Sequence, residues 1–339
     1  MTYNSIVRVV YPFGSGRVVL RTDANWEQNI EAASASADGT SSEFRLSSER
    51  PFLYFKPCVV DHNGLHWSVG TNYLLILNGR VKEVYPHFFS GLSSRISDPI
   101  RFHSAALGGE CGVRIYHPPG YDENTLKRYP VLYMHDGVNL FFRGEAFMGR
   151  EWEIDETLEV LDRMSIIDKV IVVGVYARER MYDYTNPGYY AYSRFLADEL
   201  RPAVDTHLRT LAGPANTAVM GSSLGGVVSL HVAWERPDVF GKAACMSSTF
   251  TYRDDLMRRV ADEPKKPIRV YLDSGWPGDN YEVTLGMRDL LAHRGYRFGE
   301  DLLYFAFPNA RHDETYWATR SHVPFQFFFG KTPVFSPTA

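Results

Sequence analysis

Ten consecutive residues, Thr217-Ala218-Val219-Met220-Gly221-Ser222-Ser223-Leu224-Gly225-Gly226, restrict the architecture more than any other stretch. A short apolar strand runs into a G-x-S-x-G turn centred on Ser223. An apolar helix leaves it, carrying Val227, Val228, Leu230, Val232 and Ala233. Small residues two before and two after the serine, Gly221 and Gly225, let so tight a strand-to-helix turn close without clashes. Gly226 lets the helix pack close to the strand. The turn lifts one hydroxyl above a sheet and aims a helix N-terminus, with its free N–H groups, at the same place.

The rest of the chain from about Ser104 supplies the sheet. Cys111–Tyr116, Pro130–His135, Val170–Val175, Thr217–Met220, Ile268–Leu272 and Leu302–Phe307 read as strands. Glu153–Met164, Ala191–Leu208, Gly225–Arg236 and Val283–His293 read as helices between them. Strands separated by helices are parallel, and ligands on such sheets bind at the carboxyl ends of the strands. The texture before residue 95 differs. Arg17–Thr22, Phe44–Leu46, Phe52–Val60 and Tyr73–Leu77 are β-like and are separated by Asp38-Gly39, Asn63-Gly64 and Asn78-Gly79 turn signals. Only Trp26–Ala37 carries a weak helical period. The expected organisation is a small all-β sandwich over residues 1–95, followed by an α/β domain over 96–339 with a mostly parallel sheet and helices on both faces.

Composition excludes several classes. The 339 residues are 45% hydrophobic and 22% charged, which is globular, and the net charge of −4 lacks the basic field of a nucleic-acid binder. No apolar run reaches the length of a membrane span, so no membrane partner is expected. The first residues show no secretory leader, and Cys58, Cys111 and Cys245 are too few and too scattered for a disulfide framework. A cytoplasmic chain with three core thiols is the expectation. No H-E-x-x-H, paired cysteines or G-x-x-x-x-G-K occurs, so neither a metal nor a cofactor is expected.

A serine hydroxyl needs a base to become a nucleophile, and the base needs an orienting acid. On this fold they follow in the order serine, acid, histidine. The strand ending at Leu272 is followed by Asp273-Ser274-Gly275-Trp276-Pro277-Gly278-Asp279, and the last strand by Pro308-Asn309-Ala310-Arg311-His312. Two acids compete. Asp273 sits at the strand end, whereas Asp279 sits in the loop, where a carboxylate can reach a histidine, and it is preferred. His312 is preferred to His322, which precedes a Phe-rich segment and reads as packing. The oxyanion hole needs two backbone N–H groups. Leu224, after the nucleophile, supplies one. Val138, in the loop His135-Asp136-Gly137-Val138-Asn139, supplies the other.

The segment from Ser104 to the end resembles the α/β-hydrolase family of esterases that includes enterochelin (siderophore) esterases, feruloyl esterases and mycobacterial mycolyltransferases. The matching residues are Ser104-Ala105-Ala106-Leu107-Gly108, Tyr116-His117-Pro118-Pro119-Gly120-Tyr121 and Tyr129–Gly137. They continue with Val172-Val173-Gly174-Val175, Arg180 with Asp183-Tyr184, Gly221–Gly226, and His312-Asp313-Glu314 with Trp317. The resemblance implies Ser223 as nucleophile, His312 as base, an acid in the loop after Leu272, and Leu224 with Val138 as oxyanion donors. One departure concerns the acid: the family shows Gly-x-x-Asp, and here Gly275 and Asp279 are four apart. The first 95 residues resemble the immunoglobulin-like domain of some siderophore esterases and carbohydrate-active enzymes, through Tyr54-Phe55-Lys56-Pro57 and Trp67-Ser68-Val69-Gly70-Thr71-Asn72. That resemblance implies either a glycan contact through Trp26 and Trp67, or a core role for Trp67 in a domain that packs or forms a homodimer contact.

The expected activity is hydrolysis of a small-molecule or glycan-linked ester through an acyl-enzyme. Transfer of the acyl group to a sugar or alcohol at the same site is the alternative, and a non-catalytic binding module is a remote one. Phe141, Tyr184, Trp276 and Trp317 are the expected aromatic walls of the substrate pocket, although they fit core packing as well.

Overall fold

The computed structural model describes residues 2–14 and 16–331. The chain divides into two compact units. One comprises Met1–Ser94, Pro118–Arg128 and Asp162–Ser165; the other comprises Arg95–His117, Tyr129–Leu161 and Ile166–Ala339.

Alternation of apolar and polar residues builds the first unit. Its strands are β1 (Tyr3–Val10), β2 (Arg17–Thr22), β3 (Asn25–Glu31), β4 (Ser34–Ala35), β5 (Ser41–Ser48), β6 (Phe52–Asp61), β7 (Gly64–Trp67), β8 (Tyr73–Ile76) and β9 (Val81–Val84). One sheet has the order β4-β5-β1-β9. The other has the order β3-β2-β6-β7, with β8 also paired to β6. Val7 and Val9 of β1 and Phe44 and Leu46 of β5 meet Val18, Leu20, Leu53, Phe55 and Leu75 of the other sheet in one core cluster. Two sheets sharing one core make a sandwich.

The helical reading of Trp26–Ala37 fails. That stretch is β3 and β4, because Asn25 and Ile30 pair with Thr22 and Leu20 in a tight antiparallel hairpin. Trp67 is 38% exposed, not a core residue, and its ring lies 6.2 Å from that of Trp26.

The segment Pro118–Arg128 is tied to this unit by one carboxylate. Glu123 accepts from the backbone N–H groups of Phe88 (2.6 Å), Phe89 (3.0 Å) and Ser90 (2.6 Å) and from the Tyr11 hydroxyl (2.9 Å). Burial alone would raise its pKa, but these donors hold it below the ordinary glutamate value. Asn124 adds bonds from its side-chain amide to the carbonyls of Val10 and Pro86.

The second unit holds one sheet built from β10 (Arg95–Ile96), β11 (Ile100–Ser104), β12 (Gly109–His117), β13 (Val131–His135), β14 (Ile171–Val175), β15 (Thr217–Ser222), β16 (Lys242–Met246), β17 (Arg269–Trp276) and β18 (Leu302–Pro308). Its order is β10-β12-β14-β13-β15-β16-β17-β18, with β11 on β12. From β14 to β18 every pairing is parallel, and β12 runs antiparallel to β14. This is the α/β-hydrolase architecture. β13, β14, β15 and β16 are buried along their whole length, as strands covered on both faces must be, which explains their continuous apolar runs.

Two readings of this unit change. β16 is a strand that the sequence did not announce, and β17 runs on to Trp276, so Asp273 lies within the strand rather than at its end. Among the described residues no helix is long and apolar enough to cross a membrane.

Glu123→Gln tests the clamp. It removes the anion shared by three N–H donors and should cost about 1–3 kcal/mol at neutral pH. A carboxylate whose pKa is lowered by folding stabilises the fold above its unfolded pKa and loses that contribution as pH falls through the folded value. Calorimetric scans from pH 7 to 3 should show the parent losing stability faster than the variant. Parallel curves contradict this.

Candidate active site

The turn after β15 carries Ser223 at φ 56° and ψ −122°, where non-glycine residues are rare and strained. Its N–H donates to the Met246 carbonyl (2.9 Å), and its carbonyl accepts from Gly226 (3.1 Å) and Val227 (3.2 Å), the first bonds of the helix Leu224–Glu235. A Cβ on Gly221 would sit 2.7 Å from the carbonyl of Gly225, and one on Gly226 would sit 2.0 Å from Ser248 Oγ. Gly221 is sterically required, because it meets backbone, whereas at Gly226 the atom in the way is a side-chain hydroxyl. Gly225 is different: a Cβ there would make ordinary contacts with Asp136 Oδ2 (3.4 Å) and His135 Cβ (3.5 Å). The same distances show that the loop after β13 abuts the serine turn. The helix is buried on every side down to Trp234, which explains its unbroken apolar composition.

That neighbouring loop is held from two sides. Asp136 adopts the left-handed conformation (φ 56°, ψ 46°), its N–H donates to the Tyr184 hydroxyl (3.1 Å), and its carboxylate takes both Nε (2.8 Å) and Nη2 (2.9 Å) of Arg180. A bidentate fork fixes direction as well as distance. Gly137 packs its backbone on Gly174 of β14, where a Cβ would lie 2.6 Å from the carbonyl carbon. Val138 follows in a single 3-10 turn, half-buried, and Leu224 begins its helix, so its N–H has no acceptor one turn back.

Asp279 and His312 lie beyond the ends of β17 and β18, neighbours in the sheet. His312 Nδ1 is 2.6 Å from Asp279 Oδ1. The imidazole is partly exposed (35% of the side chain) whereas the carboxylate is sealed (0%). Asp279 Oδ2 accepts from Gly275 N–H (2.8 Å) and from the Ser247 hydroxyl (2.5 Å). Burial pushes the Asp279 pKa up, but the bonds from His312, Ser247 and Gly275 outweigh it and leave the carboxyl below its ordinary value. The His312 ring meets Trp317 edge-on at 5.0 Å, which steadies its plane. Among the described residues no hydrogen bond joins Ser223 Oγ to His312; such bonds often tighten only with substrate.

Asp273, the competing acid, has no hydrogen bond to the histidine among the described residues. Its carboxylate accepts from the Tyr271 hydroxyl (2.8 Å) and lies 3.2 Å from Arg320 Nη2. Burial pushes it up to about 6. His322 stands at the start of the helix His322–Phe329, beside Gln326.

Of the four expected wall aromatics, three are interior. Phe141 stacks on Tyr116 in the core, Tyr184 is fully buried with its hydroxyl on Asp136, and Trp317 is buried with Nε1 on Ser247 Oγ (3.0 Å). They act as supports, because packing has used their faces. Trp276 is 49% exposed and, with Pro277, Gly278, Asn309, Ala310 and Arg311, borders a cavity of about 250 Å³ between the loops that bear Asp279 and His312.

Reasoning from sequence missed Ser247 and Arg320. Ser247 follows the unannounced β16; a short apolar run, Lys242–Met246, between one helix and the strand at Arg269 was its available signal. Arg320 gave none, since it is the last residue of the helix Glu314–Arg320 that follows the histidine. Among the described residues no group of three or more His, Cys, Asp or Glu side chains is placed to hold a metal ion.

A parallel sheet with this strand order and a strained serine turn at its centre defines the α/β-hydrolase class. Residues 104–326 match the family described as "Putative esterase". The chain belongs to that family and is a carboxylic ester hydrolase. The uncharacterized protein YjcH of Bacillus subtilis is 33% identical over 191 residues, 55% of this chain and 75% of that one. A ferulic acid esterase structure superposes with a TM-score of 0.58 at 16% identity, covering 70% of this chain and 98% of its own. The enterochelin esterase of Shigella flexneri gives 0.56 at 13% identity over 96% of this chain and 93% of its own. At such identities the superpositions speak to the fold.

Gly221→Ala drives a methyl group into the Gly225 backbone and must part the helix from the strand, at a cost of about 1–3 kcal/mol. Gly225→Ala should cost much less. Denaturant midpoints of the two variants check the order, and equal losses contradict the steric account.

Proposed function

We propose that this chain is a serine esterase in which Ser223 attacks the ester carbonyl and His312 takes its proton. Asp279 holds the imidazole in the productive tautomer and balances its charge. The N–H groups of Leu224 and Val138 receive the developing oxyanion. The tetrahedral adduct collapses as His312 returns the proton to the leaving alcohol. Water, deprotonated by the same imidazole, then attacks the acyl carbon, the bond to Ser223 Oγ breaks as His312 returns the proton to that oxygen, and the acid leaves. The observation that carries this reading is the 2.6 Å contact between His312 Nδ1 and a carboxylate removed from solvent, beyond the same strand ends as the strained Ser223 turn.

The substrate we propose is a small-molecule or glycan-linked ester. The similar solved structures include, by name, an esterase of ferulic acid and one of enterochelin, and the exposed Trp276 offers an aromatic surface beside the histidine loop.

Ser223→Ala should abolish p-nitrophenyl acetate hydrolysis and fluorophosphonate labelling. Asp279→Asn should lower kcat by roughly 10³–10⁴-fold with KM little changed, since the acid acts on the transition state through the histidine. Steady-state kinetics on both variants checks this. A Ser223→Ala protein with parental turnover overturns the reading.

A further inference from the structure

The two carboxylates that compete in the sequence are joined in the fold. Asp273 and Asp279 both have side chains with no solvent exposure, and Arg320, 3% exposed, lies between them. Its Nη2 is 3.2 Å from Asp273 Oδ1 and 3.3 Å from Asp279 Oδ2. The same nitrogen donates to Ser247 Oγ, whose hydroxyl donates to Asp279, while the Ser247 N–H donates to the Asp273 carbonyl (2.8 Å). Arg320 Nε and Nη1 have no hydrogen-bond partner, so its burial is not explained by a full set of bonds. Two anions and a cation in a dry interior are an expensive way to hold a fold, because apolar residues of the same volume commonly do it as well.

We propose that Asp273 and Arg320 are positioning residues for the His312–Asp279 pair, and that their opposite charges set how readily the imidazole accepts the serine proton. The proposal rests on His312 being the base. Asp273, Arg320 and Asp279 sum to one negative charge, and protonation of His312 makes the group neutral. Without the Asp273 charge, Arg320 cancels Asp279, and the imidazolium forms beside a neutral background. Without Arg320, two sealed carboxylates adjoin, and one of them sheds its charge by taking a proton.

Other groups face this cluster from each packed element. Tyr271 on β17 donates to Asp273, and Cys245 on β16, its thiol raised by burial, lies nearby. The Phe307 ring of β18 lies 5.4 Å from the Arg320 guanidinium, and Trp317 reaches Ser247. Near His312 the charges are Asp313, paired with Arg150 at 3.5 Å, and Glu314, which feels Asp136. Burial raises Asp273 against the pull of Arg320, to about 6, so most of the group's negative charge is present at neutral pH and it fades as the pH falls below that value.

The test is the imidazole titration of His312, followed by NMR with labelled histidine and assigned with His312→Gln, in the parent and in Asp273→Asn. Asparagine keeps an acceptor for Tyr271 and removes the charge. The His312 midpoint should fall by about 0.5 pH unit or more, and the acidic limb of the fluorophosphonate labelling rate should move with it. An unchanged midpoint and limb, whatever happens to the melting temperature, reduces Asp273 to a structural residue and overturns the proposal. Should Asp273→Asn not fold, Arg320 variants keep or remove the cation, but the carboxylates readjust to it, so the deciding pair is Asp273→Glu and Asp273→Gln, equal in size and different in charge. The glutamate variant should keep the parental midpoint and the glutamine variant should lower it; equal behaviour overturns the proposal. A parent whose Ser223 no fluorophosphonate labels contradicts the serine-esterase reading instead, and the NMR titration, which needs no turnover, still judges Asp273.

Discussion

An ionised carboxylate sealed from water is the constraint around which this half of the molecule is organised. Asp279 is lowered in pKa despite full burial because donors from the segment after β16, the end of β17 and the two segments that follow β18 converge on it. Each comes from a different part of the chain, so the acid can be buried and still stay ionised only if the sheet is assembled in register. Ser222 pairs with Met246, and Met246 with Asp273, which sets the serine turn and the acid network at one level. Ser247 is the joint between them: it follows the residue that accepts the Ser223 N–H, and its hydroxyl supports Asp279.

The strained serine is held by the same means. Its unfavourable backbone is offset by a helix that is buried on all sides and by glycines that let β15, the helix and Ser248 come within contact of one another. The Arg180–Asp136 fork performs the corresponding task for the loop of Val138, since it fixes a left-handed residue from outside the turn. Chemistry at strand ends therefore relies on second contacts that lie far away in sequence.

What the sequence disclosed follows from this. The α/β architecture, the serine turn and the loop histidine were legible because each depends on local pattern: apolar runs for strands buried on both faces, small residues at a tight turn, a polar residue just past a strand. Asp279 was preferred to Asp273 for its place in a loop, and it is Asp279 that meets His312, although β17 runs further than its apolar run suggests. Lys242–Met246 was missed because its lysine, alanines and cysteine lack the β-branched character that marks a strand. Arg320 and Ser247 were invisible, for a buried guanidinium or hydroxyl has no local signature until the fold supplies its partners. The aromatic walls were misjudged for a similar reason. Phe141, Tyr184 and Trp317 are equally suited to a pocket or a core, and packing decided for the core.

The central claim is that the ester's acyl group passes through the Ser223 hydroxyl. Rapid acid quenching during turnover of p-nitrophenyl acetate, followed by peptide mass spectrometry, tests it most directly. The account predicts an acetyl group on the peptide that contains Ser223, lost with time, and absent when His312 is replaced by glutamine. Turnover with that peptide unmodified, or with the acetyl group on another side chain, contradicts it.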